Sequence, residues 1–228
     1  GSLIFMLIGF LSGISAGAGV IVARFFGAGD EKNLQRAVHT TVAFGLVAGV
    51  LMTGVGVALS PQILRWMDTP ESVMRESVTY LQIYFAGSLG FVMYNVLVGI
   101  LQAVGDSRHP LYYLIVSSVI NLVLDLLFIT GFHTGVGGAA VATVISQIVS
   151  ALLCFWQLLR TKESYGLKIR KIRFDKGILV QIIKIGLPSG VQNSIIAFAN
   201  VIVQSNINAF GEMAMAGYGA YTKVEGFG

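Results

Sequence analysis

Charge is distributed along this chain in a way that leaves few choices of fold. Residues 1–23, 37–64, 77–105 and 185–211 contain no Asp, Glu, Lys or Arg, and between 109 and 159 the only one is Asp125. A bilayer core about 30 Å thick takes about 20 apolar residues in a helix, so each run is long enough to cross it. Only 11% of the residues are charged and 55% are hydrophobic. A soluble domain carries about 25% charged residues, because its surface faces water. Lipid is therefore the solvent. The short alternating segments of a membrane β-barrel do not occur here. The fold class that follows is an all-α polytopic membrane protein, a transmembrane helix bundle.

Spans are predicted at roughly 2–26, 37–60, 77–104, 110–131, 136–160 and 178–210, with a partial one from 213. Gly27-Ala28-Gly29 stops the first span, Ser60-Pro61 is expected to break the second, and Gly105 to Pro110 forms a turn after the third. Residues 131–138 make an uncharged hairpin, and the longest connection, Arg160 to Lys176, is strongly basic. Among the 28 glycines, Gly13-x-x-x-Gly17 is read as a surface for close helix packing. The opening on Gly-Ser directly into a span, without a basic leader, reads as a piece of a longer protein with no signal peptide.

Alternating spans put the loops after the first, third and fifth on one side. That side carries Arg24, Lys32, Arg36, Arg108, Arg160, Lys162, Lys168, Arg170, Lys171, Arg173, Lys176 and Lys184, twelve cations against Arg65 and Arg75 opposite. The bias places the basic loops in the cytoplasm of a multi-pass inner (plasma) membrane protein. It also accounts for the net charge of +4 without any nucleic-acid role. The organisation expected is a first-lobe bundle of five spans over 1–160, a basic inter-lobe loop over 161–177, and the start of a second lobe over 178–228. Pro188, in Ile185-Gly186-Leu187-Pro188-Ser189-Gly190, is expected near a first helical turn of that second unit.

Asp125 lies deep in the fourth span, where a carboxylate costs at least about 2.5–3.5 kcal/mol. No Lys or Arg is within two helical turns of it, and Asn121 is at i−4 on the same face. Such oxygens suit a site for H⁺ or Na⁺; the other reading is a buried acid bonded to neighbouring helices. Asn95, Thr143, Ser146 and Gln147 are polar mid-span residues that serve either as ligands or as glue between helices. In the sixth span Gln192, Asn200 and Gln204 fit one helix face turned toward a cavity. Phe85, Phe91, Met93, Tyr94 and Phe198 line a lipophilic pocket or pack against lipid and helices. His39, His109 and His133 lack metal-ligand spacing, no phosphate-binding Lys motif is present, and the single Cys154 is a packing residue. No enzyme and no cofactor is indicated.

Val22-Ala23-Arg24-Phe25-Phe26-Gly27-Ala28-Gly29-Asp30, Leu101 to Pro110 with its Gly105-Asp106-Ser107-Arg108, Asn121 to Asp125, Gly135 to Thr143 and Ile185 to Gly190 occur together in one order. In these the chain resembles the MATE family, the multidrug and toxic compound extrusion transporters, over essentially its whole length. The resemblance implies family helices two to seven and the start of eight, from a monomer of twelve helices in two lobes. It implies export of lipophilic or cationic small molecules across the bilayer in exchange for Na⁺ or H⁺. One branch binds its cation through an Asn on the fourth helix, Asn-x-x-x-Asp on the fifth and Thr on the sixth, matched here by Asn95, Asn121, Asp125 and Thr143. A Na⁺ would be held by Asp125, Asn121 and Thr143. Gln192, Asn200 and Gln204 become the substrate-facing candidates.

In that family a further Asp stands on the first helix, which would precede residue 1. A second branch places an acid on the seventh helix, where this chain has Gln192 and no acid before Glu212. Two other functions compete. A lipid-linked-precursor or polysaccharide flippase would need several cations lining its cavity, and the spans contain almost none. A non-transporting membrane interaction subunit would use Asp125 only for assembly.

Overall fold

The helices form because lipid leaves a backbone no partner but itself, so every crossing segment closes its own hydrogen bonds. The structure, a computed structural model, describes residues 2–66, 71–131 and 135–208. The chain runs through α1 (Ser2–Gly27), α2 (Glu31–Trp66), α3 (Glu71–Ala86), α4 (Ser88–Ala103) and α5 (Arg108–Leu126), the last continued by a π-helical turn, Leu127–Gly131. It then forms α6 (Gly135–Arg160), a 3-10 turn at Ile169–Lys171, and α7 (Lys176–Asn208). No strand occurs among the described residues. Residues 31–66, 108–131, 137–160 and 176–200 are helices long and apolar enough to cross a membrane, and α3 with α4 passes the same test as a bent pair. The partial span expected from 213, and Gln204 as a side chain, lie outside the described residues.

Three boundaries differ from the sequence reading. The third span is two helices, meeting at Gly87 with a bend of 41°. Helix α6 lies against the bend: a Cβ at Gly87 would stand 2.3 Å from the Val144 side chain, and one at Gly90 would stand 2.8 Å from Ile148. Thr53 of α2 and Ser88 of α4 share a hydrogen bond of 2.9 Å beside the bend. Pro61 does not end α2, which continues to Trp66; the proline removes only the N–H that would meet the Val57 carbonyl, and the turns on either side stay helical. Pro188 is not at a first turn either. It lies inside α7, twelve residues past Lys176.

Burial gathers at the end of the bundle that carries the basic connections. Val22 near the end of α1, Val38 near the start of α2, Leu101 of α4, Leu158 of α6 and Ile182 of α7 are all 0% exposed. Cys154 joins them as a packing residue. Farther along, Val50, Leu51 and Val55 of α2 and most of α7 past Gly190 are exposed.

The closest helix approach joins α1 to α7, the element that the sequence sets apart as a second unit. A Cβ added at Gly13 would be 2.2 Å from the Gly190 backbone, and one at Gly17 would be 2.5 Å from Gly186. Backbone therefore lies on backbone, as small residues four apart permit. Overpacking of this kind costs about 1–3 kcal/mol where a side chain has to give, and here only main chain stands in the way. Gly17→Ala is expected to lower the melting temperature of the purified protein clearly. Gly54→Ala, which meets nothing within 4 Å, is expected to leave it unchanged or raise it slightly. A thermal-shift comparison of the two variants checks this.

Candidate cation and substrate sites

Helix α5 turns one narrow face inward. Tyr113, Ser117, Ile120, Asn121, Leu124 and Asp125 are buried or half-buried at helical spacing, whereas Leu122 and Leu126 are 60% and 56% exposed. That inner face lies against α6 far more than against α4. It carries two unsatisfied polar atoms. Asp125 Oδ1 and Asn121 Nδ2 are buried and have no hydrogen-bond partner. An orphaned buried polar atom costs about 1–3 kcal/mol.

Several other polar residues within the spans are satisfied locally. Asn95 Nδ2 donates to the Phe91 carbonyl at 2.8 Å and Thr143 Oγ1 to the Ala139 carbonyl at 3.0 Å. Ser146 and Ser150 likewise donate to Thr143 and Ser146 carbonyls. A side chain that donates in this way keeps its oxygen free as an acceptor. Asn95 and Thr143 can therefore still offer oxygen to a cation. Rotating the Asn121 amide by half a turn would present its oxygen where the nitrogen now points.

Among the described residues no hydrogen bond joins Asn95 or Thr143 to Asp125. Asn95 lies instead on a cleft of about 420 Å³ between α1 and α4, with Ser15, Gly19, Gly99 and Gln102. One residue beyond Asp125, the α-helix gives way to the π-helical turn Leu127–Gly131. Such turns are rare and are frequent at functional sites. Nothing in the residue pattern announces this turn.

On α7, Gln192 is exposed beside an apolar groove formed by Leu187, Pro188, Val191 and Ile195, and Asn200 is exposed farther along. Phe85 and Met93, candidates for a lipophilic pocket, are 1% and 7% exposed and belong to the packing. Among the described residues there is no cluster of three or more His, Cys, Asp or Glu.

A polar knot at the basic end has no counterpart in the sequence reading. His39 donates from Nδ1 to the Gln35 carbonyl at 2.6 Å and accepts at Nε2 from the Lys168 N–H at 3.0 Å, which requires the neutral imidazole. Thr40 Oγ1 accepts from the Asp175 N–H at 3.1 Å. The Gln35 amide donates to the Ser164 and Gly166 carbonyls. Arg36 pairs with Asp175 at 2.5 Å, and Arg24 reaches Gln181 of α7 at 2.7 Å.

Asp175 also caps α7 by accepting from the Ile178 N–H at 3.1 Å. That bond first, and Arg36 second, hold its carboxyl below the usual carboxylate range. Asp30 caps α2 in the same way through the Asn33 N–H, and its carboxyl is also lowered.

A depressed carboxyl stabilises the fold above its unfolded value of about 3.9, and that stabilisation is lost as pH falls through the folded value. Wild-type protein is therefore expected to lose more thermal stability than Asp175→Asn between about pH 5 and pH 3. Parallel unfolding scans across that range check it.

The comparisons with known proteins bear on this arrangement. The MatE family profile matches residues 1–127. The chain is 33% identical to "Probable multidrug resistance protein YoeA" of Bacillus subtilis (strain 168), over 99% of this chain and 50% of that protein. It is 26% identical to "Multidrug export protein MepA" of Staphylococcus saprophyticus, over 95% of this chain and 48% of that one. The chain thus spans about half the length of the curated relatives it matches. Among solved structures, "Crystal structure of MATE in the bent conformation" superposes with a TM-score of 0.86 at 26% identity, over 97% of this chain and 50% of the other.

Proposed function

The chain belongs to the MatE family of transporters, and from that premise we propose that it forms part of a secondary antiporter. The antiporter exports lipophilic or cationic drugs in exchange for Na⁺ or H⁺. One observation carries the reading: a buried carboxylate oxygen, Asp125 Oδ1, has no partner on the inner face of α5, beside the equally unpartnered amide of Asn121. A protein confined to lipid keeps such an atom only where something else satisfies it for part of its cycle. A proton or Na⁺ does so. Asp125 is the charge-bearing ligand in this proposal, with Asn121 and Thr143 supplying oxygens and Asn95 reached only on rearrangement of the lobe.

The α1–α4 cleft is the proposed entry to the drug path. Its lining includes no Lys or Arg, which suits a neutral or cationic substrate better than the anionic cargo of a flippase. Residues 1–160 form the first lobe, 161–177 the inter-lobe loop and 178–228 the start of the second lobe, with the basic loops cytoplasmic. Gln192, Asn200 and Gln204 would face the substrate from the second lobe. Cation binding that favours one packing of the first lobe weakens drug binding there, and drug binding weakens cation binding by the same factor. The membrane potential adds about 2.3 kcal/mol per charge per 100 mV.

Asp125→Asn keeps the side-chain volume and removes the charge. In the complete protein this variant is expected to bind drug with an affinity that no longer depends on Na⁺ or pH, and to lose concentrative efflux. Ser117→Ala, on the same face, is expected to keep both. Coupling that persists in Asp125→Asn would overturn the assignment.

A further inference from the structure

We propose that the basic end of the bundle holds one anionic phospholipid headgroup, in a cavity between the first turns of α2 and the 160–175 connection. The cavity, about 560 Å³, is lined by Lys32 and Arg36 from α2 and by Arg170, Lys171 and Arg173 from the connection, with Asp175 as its one acid. Of these five cations, only Arg36 has a carboxylate within 4 Å among the described residues. Several cations converge on one concavity with a single compensating charge, and a phosphodiester is the membrane component that matches them. A cytoplasmic topology signal alone asks only for cations near span ends. It does not require cations from two separate segments to line the same cavity.

The flanking residues favour lipid over a free anion. Ile169 and Phe174, on either side of the cations, are 61% and 45% exposed, although the connection joins two span helices at the level where headgroups lie. Apolar side chains alternating with Arg and Lys are the pattern of a segment seated in the interface, its rings and alkyl groups toward the acyl boundary. Between them, Ile172 packs back against the core and fixes which way the segment faces. A headgroup in this cavity would bridge α2 and the connection, reinforcing the few bonds from His39, Thr40 and Gln35 that hold them together.

The proposal is independent of the coupling role of Asp125. Its test uses the complete protein in nanodiscs or by native mass spectrometry, with phosphatidylglycerol, phosphatidylcholine and inorganic phosphate as probes. Lys32→Gln/Arg170→Gln/Arg173→Gln is expected to lose phosphatidylglycerol binding about tenfold or more. The control Lys162→Gln/Lys168→Gln/Lys176→Gln removes the same charge from the same end of the bundle outside the cavity and is expected to change binding less than twofold. Lys32→Arg/Arg170→Lys/Arg173→Lys should retain binding. If the triple Gln variant does not fold, single Arg170→Gln and Arg173→Gln variants are each expected to weaken binding severalfold. Equal losses in the cavity and control variants would mean diffuse attraction and would overturn the site. Displacement of the lipid by micromolar inorganic phosphate would overturn the lipid assignment.

Discussion

A polar group inside a bilayer has no water to fall back on, and most local detail of this structure follows from that. Ser60, Asn95, Thr143, Ser150 and Ser189 each donate to the carbonyl four residues earlier in their own helix. This local solution demands nothing of neighbouring helices, so these residues neither set nor limit how the helices pack. Asn121 and Asp125 stand out against that background because they do not use it. Asn121 Nδ2 could donate to a helix carbonyl and does not, while Asp125 Oδ1, an acceptor, gains nothing from carbonyls and remains unpaired as well. The two other buried atoms in that condition, Gln35 Oε1 and Thr41 Oγ1, lie near the start of α2 at the basic end, where headgroups and water are close.

Much of the helix plan was legible in charge alone, because ionisable side chains cannot be hidden along a span. What charge could not report was how helices press on one another. At the bend Val144 and Ile148 of α6 press on Gly87 and Gly90, and nothing within residues 77–104 announces that contact. The passage of α2 through Pro61 is similar, since a proline signals a missing hydrogen bond without saying whether the helix must stop there. Gly13 and Gly17 were legible as a packing surface, but their partners, Gly186 and Gly190, lie far away in sequence. Within the candidate site, Asn121 and Asp125 could be paired by helical spacing. The relation of Asn95 to them could not, because it depends on the small contact between α4 and α5.

The knot around His39 was invisible for a different reason. His39, Gln35 and Thr40 have ordinary helical spacing, and their partners are main-chain groups of the connection, which carry no residue identity. A main-chain N–H at Lys168 or Asp175 can be supplied by almost any residue. The knot nonetheless fastens the start of α2 to the segment leading into α7. With the Arg24–Gln181 bond it ties α1, α2 and α7 at one end of the bundle.

The glycine contact between α1 and α7 has an implication beyond tight packing. Interlocked side chains must lose rotamer freedom to close and regain it to part, and their fit resists sliding. Two bare stretches of backbone have no such freedom to exchange. In α7 the contact straddles Pro188, whose missing N–H leaves the Lys184 carbonyl without its usual helical partner and lets the helix flex there. Parting such a joint would free few rotamers, so little side-chain entropy would change with it.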